Sequence, residues 1–450
     1  MTRIGSVAII GGGFSGALMA INLLRHEGPQ ATIIERRPRI GAGIAFSTTC
    51  PDHLLNVRAA NMSALPDEPE HFVRWLSARG FGATELFVSR AVYGEYLAEL
   101  VDEAASRAHD RLRVVHASAM AIEPGAPMTI TLDDGGRIAA DAAVLALGNL
   151  PPMVPNNLDP SAVGARYAPD PWADTLAKDL TADDHVLILG TGPTMVDIVL
   201  ALDSRGFRGR VTALSRRGLL PLRHGPGSAV ATELKERPAA ELSVLLRTVR
   251  ARARAIGWRA AIDELRPFTQ SMWLAASTDQ RRRFLRHARP WWDIHRHRLP
   301  PAAASRLDEL RSQGRLAVIA GRALSFTPSA KAVEVVWRSR GSVRDRLLSA
   351  QLVVNCMGPQ SDLSHATEPL LVQLAQQGQV APDPLGLGLV VDGQARAIGA
   401  DNKPNPRLFA LGPMTRGTFW EITAVPDIRV QAWNLARYMS NAYWIGGEGL

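Results

Sequence analysis

Gly11, Gly13 and Gly16 fall in G-x-G-x-x-G spacing within Gly11-Gly12-Gly13-Phe14-Ser15-Gly16. At that spacing each glycine has its own task. The first makes a tight turn, the second lets backbone approach a pyrophosphate, and the third lets the following helix lie against the preceding strand. Glu35, 19 residues beyond Gly16 and followed by Arg36, is placed to accept hydrogen bonds from an adenosine ribose and prefers a free 2′-hydroxyl. The ligand at this loop is a dinucleotide, FAD or NAD.

A second loop, Gly190-Thr191-Gly192-Pro193-Thr194-Met195, keeps the turn glycine and the phosphate-approach glycine. Met195 stands where the third glycine is expected, which predicts looser helix-to-strand packing with phosphate approach intact. The next strand ends in Ser215-Arg216-Arg217 instead of an acid. Two guanidinium groups there offer fork-shaped cationic donors to a 2′-phosphate, so the second nucleotide is expected to be NADPH.

These loops need strands before them and helices after them. Ser6–Ile10 and His185–Leu189 are continuous apolar, β-branched runs of the kind that form buried parallel strands. Residues 17–25 and a stretch reaching about 202 read as the helices, and 31–34 and 211–214 as the second strands. The two halves also close alike. Met128–Leu132, Asp133-Asp134-Gly135-Gly136 and a strand over 142–147 end at Gly148, while strands over 332–337 and 352–355 end at Gly358. From Gly13 to Gly148 is 135 residues and from Gly192 to Gly358 is 166, so the second half reads as the first with extra residues.

The expected fold is α/β, with two Rossmann-like dinucleotide-binding domains and an arginine-rich helical insertion. An FAD domain over 1–165 and 359–450 would carry an inserted NAD(P)H domain over 166–358, with the helical insertion at about 228–310. The return to the first domain is read from a strand over 408–411, a turn at Gly412-Pro413 and a closing helix over 428–438 behind Pro426-Asp427.

The 450 residues are 46% hydrophobic and 21% charged, ordinary globular values that allow a large core. The net charge of +8 comes without any block of lysines, a pattern that favours small anionic ligands over a nucleic-acid tail. Cys50 and Cys356 are the only cysteines and lie 306 positions apart, which leaves no dithiol pair, disulfide framework or cysteine metal site. The first strand begins within a few residues of Met1, and no run of 18 apolar residues occurs. The expectation is therefore a cytoplasmic protein away from membranes; its oligomeric state is left open.

Between Arg247 and Arg298 there are thirteen arginines against four acids, Asp263, Glu264, Asp279 and Asp293. Basic residues beside Trp258, Trp273, Trp291 and Trp292 superficially resemble a nucleic-acid surface, but arginine-rich amphipathic helices more often present a solvated face, and no nucleic-acid partner is expected. Trp292, Arg296, His297 and Arg298 are candidates for holding a carboxylate-bearing small substrate. His295 and His297 lie two apart without a carboxylate in ligand spacing, so no metal is proposed.

Beyond the glycine loops, the chain resembles the YdhS-like family of FAD/NAD(P)-binding proteins, which is similar to class B flavin monooxygenases and amine N-hydroxylases. The residues carrying the resemblance are Gly43-Ile44-Ala45-Phe46, His53-Leu54-Leu55-Asn56-Val57, Asn61-Met62-Ser63-Ala64, Trp292–Arg298, Asn355-Cys356-Met357-Gly358-Pro359 and Gly417-Thr418-Phe419-Trp420-Glu421-Ile422. The resemblance implies that the first loop holds FAD and that 56–63 runs near the flavin ring, with Asn56, Met62 and Ser63 as contacts. Where many relatives place Gly-Asp this chain has Gly412-Pro413, so backbone at Gly412 or the Trp420-Glu421 segment must substitute. It also implies a monooxygenase that uses NADPH and molecular oxygen to N-hydroxylate a small amine or amino-acid-like substrate through a flavin C4a-hydroperoxide, with Asn56, Ser63 and His297 as candidate catalytic residues. The alternatives are a reductase or dehydrogenase without oxygenation, and a nucleotide-occupied sensor or partner protein.

Overall fold

The computed structural model describes residues 4–82, 87–173, 176, 178–225, 234 and 236–441. The first part of the expected helical insertion, 228–233 and 235, lies outside them. The chain divides into two compact units. One comprises Met1–Ser47, Arg58–Leu150 and Ser361–Leu450, the other Thr48–Val57 and Pro151–Gln360.

In the first unit Ser6–Ile10 pairs in parallel with Gln30–Ile34 on one side and Ala142–Leu145 on the other. Pro404–Ala410 and Leu112–Val115 extend this parallel core outward, and Arg396–Ile398 adds an antiparallel edge. All four residues of Val7–Ile10 are buried, which explains the unbroken apolar run: a parallel strand between helical layers has no solvent face. The helix Phe14–Arg25 crosses between the first two strands, and Val425–Met439 packs against it. A separate antiparallel sheet of Ala119–Glu123, Met128–Leu132 and Arg137–Ala140 turns at Gly135, whose φ of +82° is one only glycine adopts freely.

The second unit repeats the plan. His185–Leu189 pairs in parallel with Arg210–Ser215 and Leu352–Asn355, and helix Pro193–Ser204 follows the first strand. The antiparallel part is attached differently. The 13-residue strand Leu316–Pro328 is parallel to Arg210–Ser215 over its first half and antiparallel to Val333–Ser339 over its second, so this meander continues the main sheet. A register shift between Ala323 and Ser325 lets one strand serve both pairings.

Between Arg210–Ser215 and Leu316–Pro328 lie the helices Leu242–Ile256, Trp258–Asp263, Thr269–Ala275, Thr278–His287, Arg289–Arg296 and Pro301–Ser312. The last is the crossover helix of the second unit, between two parallel strands. Its Ala303, Ala304, Leu307 and Leu310 share a core with Val199, Phe207 and Val211, and Asp203 receives Arg306 and Arg315 at its end. The helices before it enclose a small core of Val249, Ile262, Leu265 and Met272. Beside it the buried Glu264 accepts Arg252 bidentately at 2.7 and 2.8 Å. Among the described residues no helix is long and apolar enough to cross a membrane.

Candidate functional site

The two glycine loops are one structure built twice. Gly11 N–H donates to Ile34 O at 2.8 Å, and Gly190 N–H donates to Leu214 O at the same distance. Gly11 and Gly190 have φ of +102° and +115°, and a Cβ on either would collide with the carbonyl oxygen of a neighbouring strand end, Ala146 or Cys356. Only glycine satisfies both conditions. Gly13 and Gly192 then cap the two helices with nearly equal backbone angles, −71°/−165° and −83°/−171°, and neither helix has a side-chain cap. Each helix start thus offers free N–H groups and the positive end of its dipole to an anion.

The loops differ in what surrounds them. In the first, a Cβ on Gly13 would meet Gly43 Cα at 3.4 Å, and Gly41 N–H donates to Gly12 O at 2.7 Å, so the 41–43 turn forms a second backbone wall. Space around Gly192 is open to 4 Å. A Cβ on Gly16 would collide with the Gly11 carbonyl oxygen. Met195, at the equivalent place, is wholly buried among the apolar side chains of its unit, so the packing around the departure is filled.

Glu35 is half-buried. It accepts Gly12 N–H at 2.7 Å on one oxygen and Arg37 N–H at 2.9 Å on the other. A carboxylate has about four acceptor positions, so two remain for ribose hydroxyls. Pairing register sets Ser215 in the equivalent position of the second unit, since Ile10 pairs with Ile34 as Leu189 pairs with Leu214. There Ser215 Oγ meets Thr191 Oγ1 at 2.9 Å and accepts Gly218 N–H at 3.0 Å. Among the described residues no carboxylate bonds to Ser215 at this strand end. Arg216 is exposed, and Arg217 is half-buried and donates to Arg286 O. On the first unit, Arg36 is exposed and reaches Glu368 at 3.4 Å.

The remaining sequence candidates are dispersed. Phe14 and Ser15 are buried in the first loop; Pro193 and Thr194 begin the second helix. Gly148 and Gly358 have φ of +69° and +94° with open space at their α-carbons. Met62 is buried. Ser63 is completely so, its hydroxyl donating to Leu65 O and Glu68 O. Asn56 belongs to the other unit, where its carbonyl accepts from His224 Nε2 at 3.0 Å. Gly412 N–H is committed to Gln431 Oε1 at 2.8 Å, and Gln431 also donates to Thr415 Oγ1, so this closing-helix glutamine, absent from the sequence reading, fixes the turn. Trp420 and Glu421 are buried, with Arg416 over the indole at 4.4 Å.

Trp292 and Arg296 lie on the helix Arg289–Arg296, His297 is the residue that ends it, and Arg298 follows. Trp292 packs on the small helical core, and the buried Arg298 donates to Asp263, His295 O and Arg259 O. A feature missed at the sequence level is the strap Thr48–Val57, carried by the second unit. Its buried His53 contacts Asp197 O through Nε2 at 2.8 Å and Thr48 Oγ1 through Nδ1 at 2.6 Å. Burial, the largest influence on this imidazole, is outweighed by Cys50 and Asp197, and its pKa lies above the ordinary histidine value. The only sequence signal was His53-Leu54-Leu55-Asn56-Val57, a polar pair bracketing an apolar run.

Residues 8–150 match a family model described as FAD-NAD(P)-binding. A 6-methylsalicylate 1-monooxygenase of Aspergillus terreus is 28% identical over 171 residues, a match spanning 32% of this chain and 37% of that one. Two solved structures share the fold along nearly the whole length. The ornithine N-hydroxylase of Kutzneria sp. 744, solved with reduced FAD, NADP+ and L-ornithine, has a TM-score of 0.66 at 15% identity, covering 98% of this chain and 100% of that one. The L-lysine 6-monooxygenase of Pseudomonas syringae has a TM-score of 0.69 at 18% identity, with the same coverages of 98% and 100%. The paired Rossmann-type architecture expected from the two glycine loops is the architecture of these proteins.

Proposed function

We propose that this chain is an FAD-dependent, NADPH-oxidising monooxygenase that N-hydroxylates a small amine or amino-acid-like substrate, with molecular oxygen as co-substrate. The observation that carries the cofactor reading is the paired loop geometry with Glu35 at one strand end and Ser215 at the equivalent position of the other. An acid next to the adenosine ribose favours the unphosphorylated FAD ribose; a serine followed by arginines admits a 2′-phosphate. When bound, the flavin would supply hydride acceptance and oxygen chemistry. The chain's own share is positional. Gly13 and the helix behind it hold the pyrophosphate of FAD, with Glu35 on its ribose, while Gly190, Gly192, Arg216 and Arg217 hold NADPH. The amine substrate is read from the near-full-length fold shared with the ornithine and lysine enzymes. Two cysteines without a dithiol motif, and no membrane-crossing helix among the described residues, support a cytoplasmic setting.

The match to the 6-methylsalicylate enzyme favours a second reading, hydroxylation of an aromatic acid, which would also suit the net charge of +8. One experiment addresses both. The purified yellow protein is given NADPH and a panel of diamines, basic amino acids and aromatic acids under isotopically heavy oxygen, and products are read by mass spectrometry. Heavy oxygen on an amine nitrogen is the expected result, and heavy oxygen on an aromatic ring carbon selects the second reading. NADPH consumption with all oxygen recovered as peroxide or water overturns both in favour of a reductase. No NADPH consumption leaves a nucleotide-bound sensor.

A further inference from the structure

We infer that the arginine-rich helical segment takes part in nucleotide selection: Arg283 and Arg286 on the helix Thr278–His287 join Arg216 and Arg217 in one cationic rim that recognises a 2′-phosphorylated adenosine. The inference rests on the assignment of the second glycine loop to NADPH.

The link is a backbone contact. Arg217 Nη2 donates to the carbonyl of Arg286 at 3.3 Å. That carbonyl belongs to the last turn of its helix, where C=O groups lack intrahelical partners and carry the negative end of the dipole, so a guanidinium is drawn to it. One of the five N–H donors of Arg217 is used there and four remain. The contact also fixes where the helix ends: beside the turn that follows Arg210–Ser215, the place where an adenosine ribose is read in this architecture. That turn is itself held. Thr191 Oγ1 donates to Leu219 O at 2.6 Å, and Gly218, at a φ of +59°, packs on Ala320.

Arg283 and Arg286 are exposed and three residues apart, so they rise from one face of the helix. The helix has a single acid, Asp279, which is engaged by Arg282. Among the described residues no carboxylate pairs with Arg216, Arg217, Arg283 or Arg286. Elsewhere in this unit arginines gathered in one place share an acid, as Arg208, Arg306 and Arg315 share Asp203. The Arg217 contact brings the end of this arginine-bearing helix to the strand end that carries Arg216 and Arg217, and a dianionic phosphate there would accept charged hydrogen bonds from guanidinium groups and offset their mutual repulsion. Solvation alone would leave the charges tolerable, but it gives no reason for the helix to end against the turn where Ser215 stands in the position that Glu35 takes in the first unit.

The test uses the full-length, FAD-loaded protein and two probes, 2′,5′-ADP and 5′-AMP, titrated calorimetrically at low salt. The native chain should bind 2′,5′-ADP more tightly than 5′-AMP. Arg283→Ala with Arg286→Ala should weaken 2′,5′-ADP about tenfold, leave 5′-AMP within about twofold, and lose much of this effect in high salt. A thermal melt checks that the exposed substitutions leave the fold intact, and Arg286→Gln alone should give a partial loss. Unchanged 2′,5′-ADP affinity, or equal losses for both probes, overturns the inference. If the native chain shows a preference that Arg216→Ala with Arg217→Ala abolishes while the helix variants keep it, only the role of the helix falls. If the native chain shows no preference, the NADPH assignment falls and this inference with it.

Discussion

Arginine pairs follow the second strand of each unit, Arg36-Arg37 after Glu35 and Arg216-Arg217 after Ser215. In the proposed assignment the arginines therefore do not by themselves separate the two nucleotides; the residue before them does. Ser215→Glu should place a carboxylate against the 2′-phosphate and shift preference from NADPH toward NADH by at least about tenfold in Kd, measured by titration of both cofactors. Arg216→Ala with Arg217→Ala should weaken NADPH by about 1.5–3 kcal/mol with little effect on NADH, and an unchanged ratio would remove the 2′-phosphate assignment. The glycines also separate by role. A Cβ on Gly13 would meet Gly43 Cα at 3.4 Å, a contact and not a collision, so Gly13→Val should give a folded but colourless protein, since its bulk occupies the phosphate's approach. Gly16→Val pushes into the Gly11 carbonyl and should fail to yield soluble protein at all. A yellow, stable Gly13→Val protein would contradict FAD at the first loop.

At the scale of elements, the helix Pro193–Ser204 shows what happens where the fingerprint lapses. Met195 fills the space between helix and sheet with its own side chain and is fully buried. Restoring the fingerprint by Met195→Gly should therefore destabilise the second unit by about 3 kcal/mol in denaturant unfolding, through cavity and helix-propensity costs, and leave dinucleotide affinity nearly unchanged. Two carboxylates tie helices together in this unit. Hydrogen bonds from Arg252 hold Glu264 below the ordinary carboxylate range; at Asp203, burial pushes upward but bonds from Arg306 and Arg315 outweigh it and also hold it low. Both contribute stability that is present above the unfolded carboxylate value, near pH 4, and lost as pH falls through the lower folded value. The melting temperature should fall on acidification below about pH 4. Asp203→Asn should melt earlier at neutral pH and show a shallower acid dependence; an identical acid profile would show that Asp203 carries none of it.

For the molecule as a whole, the parts legible in the sequence were those governed by local rules. Buried parallel strands announce themselves as apolar runs such as Ser6–Ile10 and His185–Leu189, and a turn with positive φ that must also pass a neighbouring strand end admits only glycine, as at Gly11 and Gly190. Those rules determined the α/β class, the internal repeat, and the places where two nucleotides can approach backbone. What tertiary structure decided depends on residues far apart in the chain. The segment Thr48–Val57 belongs to the unit that begins again at Pro151. The helix Pro301–Ser312 serves as a crossover helix although it is continuous in sequence with the arginine-rich segment, and Gln431 reaches back to Gly412 from the closing helix. Composition and periodicity carry no record of such pairings, because a buried hydrogen bond or a shared core is a property of two surfaces meeting and not of either stretch alone.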